Sequence, residues 1–372
     1  MPIDPLVLTP NPTRQTYLAI LEAALASVEP RACTRQALQQ MGLYIESRTW
    51  ESRKSHHGDT GSTQDFSVFS PCLRGKKTSF DKTRTCDLYQ AQNIYLVGCG
   101  KASAPMAQAA EEALDGRITD GAVVVKYGHT APTRYARLVE AGHPLPDTQS
   151  VAGAQAVVDL AQRAGEDDLV VALISGGGSA LLTLPAPGLT LGDLQGLTDL
   201  LLRCGATIDE INTLRKHCSA VKGGQLARRI APARAVGLIL SDVVGNPLDA
   251  IASGPLVPDP TTFADAWTVV TKYDLAGSLP PAVSIHLQAG RRGEIPETPK
   301  PGDPIFDRVQ VAIVGDNARA AGSAARAATN AGYHTQILST FVEGEAREVA
   351  RVAAALGKEG ARHGRTQPPP AR

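Results

Sequence analysis

The sequence predicts an α/β protein: a parallel sheet flanked by helices, followed by an incomplete second α/β unit. Two patterns carry this expectation. Apolar runs of strand length, Ile94-Tyr95-Leu96-Val97, Leu169-Val170-Val171-Ala172 and Ala235-Val236-Gly237-Leu238-Ile239-Leu240, each discharge into a turn rich in Gly, Ser or Asp. Amphipathic helical stretches alternate with them, as βαβ crossovers require. The composition agrees, because Ala, Gly, Val and Leu dominate while aromatics make up only 4% of the 372 residues, which suits close packing of helices on a sheet.

The balance of charge narrows the class of partner. Lys plus Arg equals Asp plus Glu at 37 each, so no global field draws the chain to nucleic acid or to an anionic membrane. Any anionic ligand must therefore be met by local charges. Six scattered cysteines show no C-x-x-C pair, which reads as free thiols in a reducing compartment. The N-terminus lacks a basic region followed by an apolar one, and no apolar run reaches spanning length, so a cytoplasmic location is expected.

Taken in order, residues 13 to 41 carry helical spacing through Tyr17, Leu21, Ala24, Leu25 and Val28, resuming at Ala37, Leu38 and Met41 after Pro30. Together 1–43 form an N-terminal helical region. Residues 44–92 hold no sustained period and read as a polar, disordered insertion. Order resumes at Ile94. Its strand runs into Gly98-Cys99-Gly100-Lys101-Ala102, then a helix of small residues. Lys101 near a helix N-terminus opposes the helix dipole, and an anionic ligand shared with that helix would explain it. A strand at Ala122–Val125 follows. Leu138 to Asp147, punctuated by Gly and Pro, reads as an ordered loop in which Asp147 caps the next helix and His143 stays open as a ligand contact.

The loop Ser175-Gly176-Gly177-Gly178-Ser179 is the strongest motif. Three consecutive glycines let backbone N–H groups approach an anion, and flanking serines add donors. It lacks the ending of a Walker A motif and the G-x-G-x-x-G spacing of a dinucleotide site. Next, Asn212, Arg215, Lys216, Ser219 and Lys222 crowd one short stretch. On a helix, Arg215, Ser219 and Lys222 share a face, a cationic one suited to a polyphosphate. Asp242 lies just past a strand, where open sheets place ligands, and could hold Mg²⁺ or act as a general base. Asp249, after Pro247, suits either a ligand or a helix cap. Residues 256–305 are proline-rich and read as a linker or crossover region with one helix near Thr262 to Tyr273. A new unit begins with the strand Val309–Val314 and the turn Gly315-Asp316-Asn317, with a second strand at Thr335–Leu338.

With these motifs set out, the chain resembles the bacterial-type glycerate 2-kinases, a family also labelled in places as hydroxypyruvate reductase. The resemblance rests on Val97–Ala102, Gly142–Asp147, the Ser-Gly-Gly-Gly-Ser loop, Asn212–His217 through Lys222-Gly223-Gly224, Ser241–Gly245, Ile251–Pro255 and Gly315–Asn317. It implies transfer of the γ-phosphoryl group of ATP to the 2-hydroxyl of D-glycerate with Mg²⁺. It also implies a Rossmann-like domain over 93–300, a second domain starting at 301–357, and a cleft between them. Lys101, Asp242 and Arg215 then become the catalytic candidates. Ser175 to Ser179, Asn212, Lys216, Lys222, His143, Asp316 and Asn317 become the substrate and nucleotide contacts. Asn246 stands where family members often have Asp. Such kinases continue into a MOFRL region with a Gly-Gly-Arg-Asn-Gln-Glu motif supplying an arginine. Residues 358–372 form an irregular tail without it, so impaired catalysis is expected, and a non-catalytic anion- or nucleotide-binding remnant is the alternative. An NAD(P)H-dependent reductase is disfavoured, since no G-x-G-x-x-G with a ribose-binding acid is present.

Overall fold

The computed structural model describes residues 12–41, 67–69, 77–78 and 91–363. The expected disorder of 44–92 falls almost wholly outside these residues, as do Cys72, Cys86 and the tail beyond 363. The elements in chain order are α1 (Pro12–Ala26), α2 (Pro30–Gln40), β1 (Ser67–Phe69), β2 (Lys77–Thr78), β3 (Ile94–Cys99), α3 (Ser103–Leu114), β4 (Ile118–Lys126), β5 (Ala136–Ala141), α4 (Thr148–Arg163), β6 (Leu169–Ser175), α5 (Gly178–Leu181), α6 (Leu191–Arg203) and α7 (Ile208–His217). They continue with α8 (Gln225–Ile230), β7 (Arg234–Leu240), α9 (Phe263–Lys272), α10 (Pro281–Arg291), β8 (Val309–Gly315), α11 (Asn317–Asn330) and α12 (Ala346–His363). The chain divides into two compact units, one of 30–241 with 247–314, the other of 1–29, 242–246 and 315–372.

The larger unit carries the sheet, ordered β2-β1-β8-β7-β6-β3-β4-β5. The ladders β5–β4, β4–β3, β3–β6 and β6–β7 are all parallel. Every residue of β3 and β6 is buried, which is why these central strands read as unbroken apolar runs. Helix α3 lays a face of Ala104, Ala107, Ala110 and Ala113 into the same core as Leu96, Val123 and Leu173. A second core, built from Leu197, Leu201, Leu214, Phe263, Val270, Val283 and Leu287, joins α6, α7, α9 and α10 into a helical layer that holds α7 in place.

Several expectations change here. Leu138–Ala141, read as loop, lies in strand β5, whose half-exposed edge position and polar Arg137 and Glu140 hide it from an apolar pattern. Of the two readings of 256–305, linker or crossover, the structure has the crossover from β7 to its neighbour β8, and it holds a second helix: Pro281 sits in the first turn of α10, where its missing N–H is harmless, and that helix joins the second core. Strand β8, read as opening a second unit, is hydrogen-bonded beside β7 in the main sheet. Within the stretch read as a polar insertion, β1 pairs antiparallel with β8 and with β2, strands too short for periodicity to reveal. Residues 335–338 form no strand: Ile337 and Leu338 are exposed, in the smaller unit, where α1 packs along α11. Lys358–His363, read as irregular tail, continue helix α12.

One buried acid fixes the sheet edge without any signal in the pattern. Glu111 on α3 accepts three backbone N–H groups, from Arg134 (2.6 Å), Tyr135 (2.8 Å) and Ala136 (2.8 Å), at the entry to β5. Replacing it with Ala orphans all three donors. We expect Glu111→Ala to cost about 2–4 kcal/mol of unfolding free energy, read by urea titration, with a loss below about 1 kcal/mol refuting the staple.

Candidate anion-binding site

Two adjacent strands deliver their C-terminal loops to one place. Beyond β3, Lys101 N–H donates to Gly176 O (2.9 Å) and Ala102 N–H to Ser175 Oγ (3.0 Å), while the Ser175 and Ser103 hydroxyls lie 3.0 Å apart. These bonds stitch the Gly100-Lys101-Ala102 turn to the Gly-rich loop. They also engage the Ser175 hydroxyl, which is 1% exposed, as a clamp rather than as a ligand donor.

Gly177 is the pivot of the loop. Its φ of +88° favours glycine, and a Cβ there would lie 2.9 Å and 3.0 Å from the His143 ring and 3.3 Å from Lys101 Cε. His143 and Lys101 therefore converge on the same short backbone. Gly178 and Ser179 open the single-turn α5, and Ser179 Oγ lies 3.0 Å from Ser253 Oγ, which donates to Asn212 Oδ1 at 3.2 Å. Asn212 is buried, and the two motifs it and Ser179 come from are joined through Ser253, whose φ of +60° is rare for a non-glycine residue.

A cleft of about 240 Å³ opens here, lined among others by His143, Gly177, Ser179, Thr183, Arg215, Ser219 and Lys222. The expected helical face is replaced by a turn: α7 ends at His217, and the segment after it folds back to bring Ser219 and Lys222 beside Arg215. Ser219 Oγ braces that turn by accepting from Val221 N–H (3.2 Å) and Lys222 N–H (3.3 Å). Lys222 is 4% exposed and donates to Leu182 O at 2.6 Å. Burial, reinforced by the nearby Arg215 charge, pushes its ammonium down to about 7. Burial also lowers Arg215. Cys99, raised to about 12 by burial, stays a neutral thiol and offers no countercharge. Neither cation has a carboxylate partner among the described residues. Two adjoining, partly desolvated cations without one form a site complementary to an anion.

Other candidates are engaged elsewhere. Lys216, 3% exposed, pairs with Asp249 (3.2 Å) and the fully buried Asp259 (3.4 Å). Asp249 therefore serves as its partner and not as a helix cap. Asp147 caps α4 as expected, in a reciprocal box with Ser150. In the smaller unit, Asp242 is exposed immediately past β7, Asp316 caps α11 and accepts from Asn246 Nδ2 (2.6 Å), and Asn317 donates to Thr340 O (2.7 Å). Among the described residues no group of three or more His, Cys, Asp or Glu side chains is arranged to hold a metal, and no helix is long and apolar enough to cross a membrane. Cys33, Cys99, Cys204 and Cys218 are thiols in no disulfide among the described residues. Sequence reasoning missed Thr183, Ser253 and Asp259; Asp259 stands between two prolines, a position that reads as loop.

The fold and cleft define an α/β domain with a cationic cleft where parallel strands end, the place at which open α/β sheets hold their ligands. Residues 16–288 match the family described as Domain of unknown function (DUF4147). A Pyrococcus horikoshii protein named glycerate 2-kinase is 44% identical over 277 residues, 74% of this chain and 62% of its own length. A protein of Agrobacterium vitis, named provisionally as a hydroxypyruvate reductase, is 45% identical over 70% of this chain and 57% of its own length. The crystal structure of a glycerate kinase from Thermotoga maritima superposes with a TM-score of 0.75 at 32% identity, covering 97% of this chain and 73% of that one. The chain belongs to the DUF4147 family and, within it, to the glycerate kinases. It spans about 60% of the length of the two curated relatives.

Proposed function

We propose that the cleft serves ATP-dependent phosphorylation of D-glycerate at its 2-hydroxyl. The observation that carries this reading is the uncompensated pair Lys222 and Arg215, facing the same cleft as His143 and the Gly177 loop. Phosphoryl transfer asks mainly for positioning and charge neutralisation. In the reaction the 2-hydroxyl oxygen bonds to the γ-phosphorus, the bond to the bridging oxygen breaks, ADP departs and the hydroxyl proton is released. Arg215 and Lys222 hold the anionic ligand, and Lys101 neutralises charge on the transferring group.

Mg²⁺ in such reactions is held by one or two carboxylates together with the phosphates, and it screens their charge. Asp242 is the carboxylate proposed for this role: it is exposed and in no ion pair among the described residues, which offer no all-protein cage for the ion. A cytoplasmic, soluble enzyme is part of the same proposal.

The test is ADP release with D-glycerate, ATP and Mg²⁺. Turnover is expected, falling at least about 100-fold in Lys101→Ala. Nucleotide binding without turnover would instead support a non-catalytic binding protein, and nicotinamide oxidation with hydroxypyruvate would support a reductase.

A further inference from the structure

A second and larger cavity, of about 550 Å³, lies on the other side of the Ser219 turn, within the same unit. Its walls combine Arg228 and Arg229 of α8 with His217, His286, Phe263 and Ile295. Among the described residues no carboxylate side chain lines it. The acids behind the wall are already engaged: Glu297 accepts from Phe263 N–H (2.9 Å) and lies 3.2 Å from His217 Nε2 and 3.1 Å from Lys300 Nζ. Asp259 accepts from Thr261 and Thr298 and pairs with Lys216.

Among the described residues Arg228 hydrogen-bonds to neutral acceptors, Gln225 Oε1 and Glu297 O, each at 3.0 Å; burial lowers its guanidinium, the Asp303 carboxylate nearby acts to raise it, and the Arg229 charge lowers it further. Arg229 is half-buried and has no carboxylate partner among the described residues. The lining also includes the apolar and aromatic residues Ala186, Pro187, Phe263, Ile295 and Pro296. Phe263 packs edge-on against His217 (4.7 Å) and His286 (5.7 Å). An inorganic anion would leave most of the cavity unfilled, whereas volumes of this size hold small organic ligands.

We propose that this cavity is a binding site for an organic anion, a phosphate or carboxylate head on an aromatic or other apolar body, with Arg228 and Arg229 at the head and Phe263 and Ile295 along the body. This rests on the cavity alone and is independent of the kinase reading. Because Ser219 lines both cavities, the sites are separated with Arg229 and Lys222, each of which lines only one.

The probe is phenyl phosphate, titrated calorimetrically into the full chain. In the Lys222→Met background, which removes anion binding at the first cleft, binding of the probe is expected to persist and its affinity to fall at least about tenfold when Arg229→Gln is added, tenfold being the loss of roughly 1.4 kcal/mol. Ile295→Trp, which fills the cavity and leaves the charge unchanged, is expected to weaken binding equally, and it decides the question should Arg229→Gln fold poorly. Loss in Lys222→Met with retention in the other two would place the probe in the first cleft and overturn the proposal. Retention in Arg229→Gln and Ile295→Trp, or no binding to the wild type up to about 10 mM, would overturn it too.

Discussion

Lys222→Met is expected to raise stability near pH 6 while weakening anion binding at the first cleft by about 100-fold or more, the scale for removing one partner of a desolvated charged contact. The folded chain holds the Lys222 ammonium at about 7 against an ordinary value of 10.5. Below pH 7 the lysine is charged in both states, and the whole cost of burying that charge weighs on the folded one. Between about 7 and 10.5 the unfolded chain binds the extra proton, so wild-type stability rises with pH across that window. The burial penalty is on the order of 4 kcal/mol below pH 7. Methionine removes it at the cost of about 1 kcal/mol for the orphaned Leu182 carbonyl. Urea titrations at pH 6, 8 and 10 should therefore show the variant ahead at pH 6, with its advantage gone by pH 10. Added phosphate should stabilise the wild type near pH 6 and leave the variant unmoved. A variant less stable than wild type at pH 6 would show that the buried ammonium is a structural bond and not an unfilled anion contact.

The sheet was legible where burial is two-sided. Strands β3, β6 and β7 announce themselves as apolar runs, and the turns after β3 and β6 meet at Lys101 and Gly177, so the sequence pattern alone brought those two segments to neighbouring strand ends. Strand β5 and the short β1 were not legible, because an edge strand answers to one neighbour and tolerates polar residues. Arg215, Ser219 and Lys222 were assembled for the wrong local reason. Helical spacing suggested one face, yet the helix stops at His217 and a braced turn performs the convergence. What periodicity could not separate is a cation that faces ligand from one that faces an acid. Lys216 and Lys222 stand six residues apart, equally buried, and only the three-dimensional position of Asp249 and Asp259 distinguishes them.

That distinction makes Lys216→Met informative. Removing the ammonium strands Asp259, which is fully buried and keeps, among the described residues, the Thr261 N–H and hydroxyl and the Thr298 hydroxyl as hydrogen-bond donors, with His217 Nδ1 3.9 Å away. Breaking one side of a buried pair typically costs about 3–5 kcal/mol, more than the pair contributes relative to an apolar replacement. The expected result is a loss of that size in urea titration, with recovery of at least about 1–2 kcal/mol when Asp259→Asn is added, a coupling that a double-mutant cycle isolates. The network also underlies the cleft. A Cβ on Gly223 would lie 3.1 Å from Lys216 Cβ and 3.2 Å from Asp259 Oδ2, so the pair packs directly beneath the residue that follows Lys222. Anion affinity should accordingly fall in Lys216→Met and return in part with Asp259→Asn, although Lys216 does not line the cleft. A ligand-contacting lysine behaves in the opposite way: its loss weakens binding without lowering stability, and neutralising Asp259 would not restore the binding.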